Sequence, residues 1–313
     1  MKAAFITGYG EPPVLRDVAP PEAGDDTELV EIEVAGINPV DIAIASGKFD
    51  SGAPPLPYVT GKEAVGRTSE GRRVWFDEAR YPSGSFAEVT EINLGSGIEL
   101  PEEIESAQAV AFGVAGMAAW LALTWRGHLK AGETVLVNGA SGSVGQIAIQ
   151  AARLLGASRV IGTARSESGL ARVESLGADA AISTESDTFG ADLVHATEGG
   201  ADLVIDNLWG EPALAAIDAM RAQGRLVQVG NSAGTHASIQ AGRLRGGLIT
   251  ITGHRNFWAP REDRVEAFQR MCAHSIAGKL EIDVEVCPLS DVADVWKRQA
   301  ASPGHKLALD PRL

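Results

Sequence analysis

Cysteine is almost missing from this 313-residue chain; only Cys272 and Cys287 occur. Two cysteines exclude a disulfide framework and a four-cysteine zinc site. They suit a reducing cytoplasm. Basic residues are scarce too, 27 Lys and Arg against 41 Asp and Glu, for a net charge of −14. So acidic a surface repels phosphate backbones and anionic lipid, and neither nucleic acid nor membrane is expected as a partner. Long apolar runs are also lacking. The longest uncharged stretch, Ala109 to Trp125, is shorter than the about 20 residues of a membrane span and rich in Ala and Gly, so a buried helix is expected. The opening Met1-Lys2-Ala3-Ala4-Phe5-Ile6 reaches Gly8, Gly10 and Glu11 without the apolar core of a signal peptide.

What the chain does have is a globular balance of 45% apolar and 22% charged residues, and enough length to bury a large core. The first hundred residues read as β-rich. Leu29 to Val34 partly alternates apolar and acidic side chains, and Arg73–Phe76 and Phe86–Val89 read as further strands. Eight prolines between Pro12 and Pro57 argue for turns rather than long helices. Near residue 105 the texture changes. A helix is expected over 105–123. Then strands (134–138, 159–163, 180–182, 203–206, 225–229, 248–252) alternate with helices (144–155, 168–176, 212–220). Such alternation implies parallel strands joined by crossover helices, hence a doubly wound sheet. A helix (261–277), a strand (283–287), a helix (292–299) and a strand (306–309) close the chain.

Glycine is abundant, 36 residues, and the excess clusters informatively. Gly139-Ala140-Ser141-Gly142-Ser143-Val144-Gly145 follows a strand and opens a helix, as a dinucleotide-binding loop requires. The chain must turn sharply, its backbone must approach a pyrophosphate, and the helix must pack close to the sheet. The free N–H groups of the helix start then face the anion. An NAD site places Asp or Glu after the second strand to hold the ribose hydroxyls. Here that strand ends Thr163-Ala164-Arg165-Ser166, with no acid before Glu167. Arg165 is suited to clamp a 2′-phosphate and Ser166 to donate to it, so the expected cofactor is NADPH.

At this point the chain resembles a known family. Gly36-Ile37-Asn38-Pro39-Val40-Asp41, Gly61-Lys62-Glu63-Ala64-Val65-Gly66, the loop from Val137 to Gly145, Gly224-Arg225-Leu226 through Gly230-Asn231-Ser232, and the closing His305-Lys306-Leu307 are similar to the zinc-free quinone oxidoreductases of the medium-chain dehydrogenase/reductase superfamily. The resemblance spans nearly the whole chain. It implies an α/β protein with a GroES-like β-rich barrel domain (1–115 and 257–313) and an inserted Rossmann domain (116–256), with the active site in the cleft. It also implies a homodimer, which the apolar strand 248–252 at the sheet edge suits. Thr163, Asn207, Gly230, Asn231 and Ser232 complete the expected cofactor set.

Zinc-dependent relatives carry Cys where this chain has Asn38 and His where it has Lys62, so no metal is expected. Without one, a hydrogen-bond donor must stabilise the oxygen that turns anionic as hydride arrives. The family places Asn38 beside nicotinamide and substrate; Lys62 offers a cation there. Asp41 and Glu63 are expected to orient neighbours. The tyrosines and the threonine that well-matched relatives carry are replaced here by Ala43, Phe49 and the Met117-Ala118-Ala119 stretch, and the loop Gly66 to Trp75 is short. Quinones and activated alkenes (enones, enals) thus stay open as substrates. Enoyl or 2-alkenal reduction and a non-enzymatic NADPH-binding redox sensor are the alternatives.

Overall fold

The structure, a computed structural model, describes residues 1–49 and 52–313. The chain divides into two compact units, Met1–Val114 with Gln269–Leu313, and Ala115–Phe268. In the first unit come β1 (Lys2–Ile6), β2 (Val14–Asp17), β3 (Thr27–Gly36), α1 (Pro39–Ala45), β4 (Tyr58–Val59), β5 (Glu63–Thr68), β6 (Arg73–Phe76), β7 (Val89–Asn93) and β8 (Ile98–Glu99). A helical run follows over Ser106–Arg126, containing α2 (Ser106–Ala111) and α3 (Met117–Leu121). Gly113, at ψ −114°, interrupts it, so the single helix expected over 105–123 is broken there. The run is long and apolar enough to cross a membrane, and 78% of its apolar stretch is buried in the structure.

The second unit carries β9 (Thr134–Asn138), α4 (Ser143–Leu154), β10 (Arg159–Ala164), α5 (Glu167–Ser175), β11 (Ala180–Ser183), α6 (Phe189–Ala196), β12 (Ala201–Asp206), α7 (Gly210–Asp218), β13 (Met220–Gln228), α8 (Ala241–Gly247) and β14 (Thr250–Gly253). After α9 (Arg261–Ile276), β15 (Val284–Pro288), α10 (Val292–Ala300) and β16 (Lys306–Asp310) rejoin the first unit.

The first unit is built on a sheet ordered β15-β16-β3-β5-β6-β8, with β7 also on β3, and a small sheet ordered β2-β1-β4. Alternation along β3 buries Val30, Ile32 and Val34. Val30 and Ile32 share a core cluster with Val292, Val295 and Trp296 of α10. The last strand, β16, lies antiparallel to β3, pairing Ala308 with Gly36 and Leu309 with Ala35. That pairing brings Lys306 beside the start of α1. Phe86–Val89 is not a strand; Ala87 makes only an isolated bridge to Ala3, and β7 begins at Val89.

The second unit is one parallel sheet ordered β11-β10-β9-β12-β13-β14. In sequence order that is 3-2-1-4-5-6, the doubly wound arrangement, whose switch point lies at the ends of β9 and its neighbours. Val135, Leu136 and Val137 are fully buried, as in a central strand covered on both faces. Three expectations are corrected. Met220 opens β13 rather than ending a helix. Gly246 and Gly247 end α8, and Leu248 turns left-handed at φ 51°, so the edge strand begins only at Thr250. The crossover after β11, where the sequence pattern suggests no element, holds α6; eight residues including Gly190 give a weak helical pattern.

Candidate active site

Beyond Asn138 the chain turns through Gly139 at φ 75°, a conformation that glycine adopts freely. A Cβ there would also meet Leu208 Cδ2 at 2.8 Å. Gly145 answers a different need. A Cβ on it would collide with Ala140 Cα and the Gly139 carbonyl, so its absence lets α4 pack onto the turn. Gly142, the N-cap of α4, is different again. A Cβ there would find nothing nearer than the Gly139 carbonyl oxygen at 3.9 Å. The fold does not need glycine at 142. The open space lies where Ser143, Val144 and the next residues begin a 12-residue helix whose first N–H groups have no intrahelical partner.

A buried network beneath the loop fixes its shape. Thr163 Oγ1 donates to Asn138 Oδ1 (2.8 Å) and accepts from the Gly139 N–H (2.9 Å). Asn138 Nδ2 donates to Asp206 Oδ1 at 2.8 Å. Asp206 also accepts the N–H groups of Leu208 (3.3 Å) and Trp209 (3.1 Å). Burial holds its carboxyl above the usual range, and these three donors oppose that rise. The three strand ends of β10, β9 and β12 are thus tied together under the turn. Thr163 and Ala140 are fully buried, so both shape the loop from below.

The other expected cofactor residues gather near the same strand ends. Asn207 donates from Nδ2 to the Asn138 carbonyl (3.0 Å), Ser232 Oγ donates to the Asn207 carbonyl (3.1 Å), and the Gly230 N–H donates to the Asp206 carbonyl (3.2 Å). Asn231 and Ser232 are exposed. Past β10, Arg165 is exposed and forms no ion pair among the described residues. Ser166 caps α5, its Oγ accepting from the Gly169 N–H at 3.1 Å.

In the first unit the Asn38 side chain sits in a closed ring of bonds. Its Nδ2 donates to Glu63 Oε1 (2.7 Å), and its Oδ1 accepts from Lys306 Nζ (2.7 Å). Lys306 pairs with the same Glu63 oxygen at 2.8 Å, and both are buried, at 2% and 0% side-chain exposure. Glu63 Oε2 accepts from Trp75 Nε1 (3.1 Å) and the Val114 N–H (2.6 Å). Asp41 reaches back to cap α1, accepting the Asn38 N–H at 2.8 Å. Its pKa is pushed up to about 7 by burial and the neighbouring Glu63, against the pull of the Asn38 N–H, Lys306 and Lys62. Lys62 points elsewhere, donating to the Asp77 carbonyl at 2.8 Å. It lines a cavity of about 170 Å³ together with Asp41, Tyr58 and Thr60. Asn38 and Lys62 therefore do not meet; Asp41 stands between the buried ring and the cavity.

A family profile described as zinc-binding dehydrogenase matches residues 143–271. The human quinone oxidoreductase is 33% identical over 246 residues, covering 74% of this chain and 73% of that protein. The chain belongs to the quinone oxidoreductase family of the medium-chain dehydrogenase/reductase superfamily. The quinone oxidoreductase of Pongo abelii is 38% identical over 182 residues, about half the length of each protein at 54%. The quinone oxidoreductase of Thermus thermophilus, whose structures include a complex with NADPH, superposes with a TM-score of 0.86 and 29% identity, covering 99% of this chain and all of that one.

Zinc does not fit the residues present. Asn38 is consumed by Glu63 and by the ammonium of Lys306, and among the described residues no three His, Cys, Asp or Glu side chains group as ligands. Three residues of the site escaped sequence reasoning. Asn138 and Asp206 each end an apolar run, Val135–Val137 and Leu203–Ile205, and that polar ending was the available signal. Lys306 likewise opens the apolar Leu307-Ala308-Leu309. Its partner Asn38 is 268 positions away, a pairing only the strand order supplies.

Proposed function

We propose that the chain is an NADPH-dependent oxidoreductase that passes hydride to a quinone or an activated alkene without a metal. The observation that carries this is the loop at 139–145, where glycine at 142 answers no need of the fold and leaves backbone open at the start of α4. NADPH supplies the hydride. Gly142, Ser143 and Val144 hold its pyrophosphate by backbone N–H groups. Arg165 and Ser166 hold the 2′-phosphate. The Ser166 oxygen accepts from the Gly169 N–H and shares a hydrogen bond with the Ser168 hydroxyl at 3.2 Å, so its proton goes to the phosphate when Ser168 takes the donor role in that pair. Asn207, Gly230, Asn231 and Ser232 complete the cofactor wall. Asn38 positions α1 through its ring with Glu63 and Lys306, and Lys62 lends positive charge to the substrate cavity. The relatives' quinone oxidoreductase activity and the NADPH complex of the Thermus thermophilus protein support this reading. The two cysteines, free and buried, suit a reducing cytoplasm.

NADPH oxidation measured against quinones, enals and enones tests the activity. Consumption with some acceptor is expected; binding without consumption by any would favour the redox sensor. Loss of a charge-assisted contact costs about 1.5–3 kcal/mol, so Arg165→Ala should weaken NADPH roughly 10- to 150-fold and leave NADH nearly unchanged. Equal wild-type affinity for the two cofactors would refute the assignment.

We further propose a homodimer through the free edge of the six-stranded sheet, where β14 lies. Leu248, just before it, is 65% exposed, and a covered edge would bury it. Light scattering should give about 65 kDa, twice the chain's 32.7 kDa, and Leu248→Asp should lower it to the monomer mass. Proline at Ile249 is the poorer probe, because that N–H serves the Leu244 carbonyl at the end of α8. A wild-type monomer would exclude the interface.

A further inference from the structure

The cavity beside Lys62 has a wall that hydride delivery alone does not explain. Its volume, about 170 Å³, is of the order that takes up one aromatic ring. Ile44, Pro54, Val59 and Ala79 supply apolar lining, and exposed Glu78 and Tyr81 form a rim open to water. Into this space the fold sets Asp41, 2% exposed, with only one carboxylate oxygen engaged. Among the described residues no donor reaches the other. Nearby, the Tyr58 hydroxyl is buried without a hydrogen bond of ordinary geometry. Both groups thus face the same pocket, and the buried Tyr58 hydroxyl costs stability unless a ligand uses it.

We propose that Asp41 protonates the substrate after hydride transfer, with Lys62 on the same cavity wall to stabilise the anion formed. The step rests on the oxidoreductase reading above. The substrate gains one hydride, which carries two electrons, NADPH is left as NADP⁺, and the substrate becomes an enolate or hydroquinone anion. The Asp41 O–H bond then breaks and a bond from that proton to the substrate carbon or oxygen forms. Asp41, left as carboxylate, recovers a proton from water through the rim. An acid poised near neutrality suits this task. The groups acting on Asp41 are consistent with it. Glu63 favours the protonated form; Lys306 from β16 and Lys62 oppose it, and Tyr58, pushed up to about 12 chiefly by burial, stays a neutral donor. Helix α10, packed on α1, brings apolar Val295 and Trp296 to the shared core.

Asp41→Asn keeps an oxygen for the Asn38 N–H but has no acidic proton. With an enal as acceptor, kcat should fall about 100-fold or more while NADPH affinity stays within about twofold. The wild-type kcat should decline as pH rises past about 7, and that limb should vanish in the variant. Lys62→Met should move the limb to higher pH, since the lost cation no longer favours the carboxylate. Two readouts need no turnover. Carboxyl ¹³C NMR, assigned by difference against Asp41→Asn, should show one aspartate titrating near pH 7. Because the native chain then holds a proton that the unfolded chain has released, wild-type stability relative to Asp41→Asn should drop as pH rises from about 4 to 7. A variant with wild-type kcat and an unchanged limb, or an Asp41 that titrates below pH 5, overturns the proposal. Failure of the oxidoreductase reading looks different: no acceptor drives NADPH oxidation by the wild type, and the proton-transfer role falls with it.

Discussion

Lys306→Met should destabilise the first unit by about 3–5 kcal/mol, the usual result of removing one partner from a buried ion pair. Lys306 touches three groups at the base of α1: Glu63 Oε1 at 2.8 Å, Asn38 Oδ1 at 2.7 Å and the Ile37 carbonyl at 3.3 Å. Without it Glu63 keeps the donors Asn38, Trp75 and Val114, yet its charge stays buried with no cation beside it. For a unit of this size the melting transition should fall by roughly 6–20 °C. Glu63→Gln made together with Lys306→Met should recover much of the loss, because the pair then disappears and no lone charge remains. Calorimetry on the wild type and these two variants measures it. A loss below about 1 kcal/mol for Lys306→Met would mean that water reaches Glu63 and that the ring is not the clamp described.

The doubly wound sheet was legible because its signals are local. Val135-Leu136-Val137 and Leu203-Val204-Ile205 are short apolar runs with turn residues after them, and the helices between keep small residues on the packed face. The glycine loop was legible for the same reason, since its spacing between a strand and a helix lies within seven consecutive residues. The substrate-side unit was harder to read. Asn38 and Lys62 lie in recognisable segments, but which way each side chain points depends on strands far along the chain. Asn38 turns inward because β16 delivers Lys306 to it. Lys62 turns toward the Asp77 carbonyl, which follows β6. Asp41 was expected to orient its neighbours, and it accepts the Asn38 N–H at the start of α1. Its second role in the cavity wall needed β4 and the residues after β6 to be in place. The edge strand, expected over 248–252, was read too long because Leu248-Ile249 is apolar enough to pass for its start, whereas a left-handed residue at 248 ends α8 there.

Gly142→Ala offers the sharpest separation of fold from cofactor binding. The residue has φ −75° and ψ 165°, values any amino acid adopts, and its added Cβ would come no nearer than 3.9 Å to the Gly139 oxygen. Stability should therefore change by less than about 1 kcal/mol, the ordinary cost of exchanging an N-cap glycine for alanine. NADPH binding should suffer far more. A pyrophosphate resting on the N-terminal backbone of α4 needs the space that the methyl group would fill. A loss of about 3 kcal/mol, or roughly 100-fold in Kd, is expected by fluorescence titration of NADPH. Gly145→Ala provides the contrast. There the Cβ collides with Ala140 Cα and the Gly139 carbonyl, so stability and binding should fall together. If Gly142→Ala binds NADPH within about twofold of the wild type, the open space above α4 is not where the pyrophosphate lies, and the loop's glycines serve packing alone.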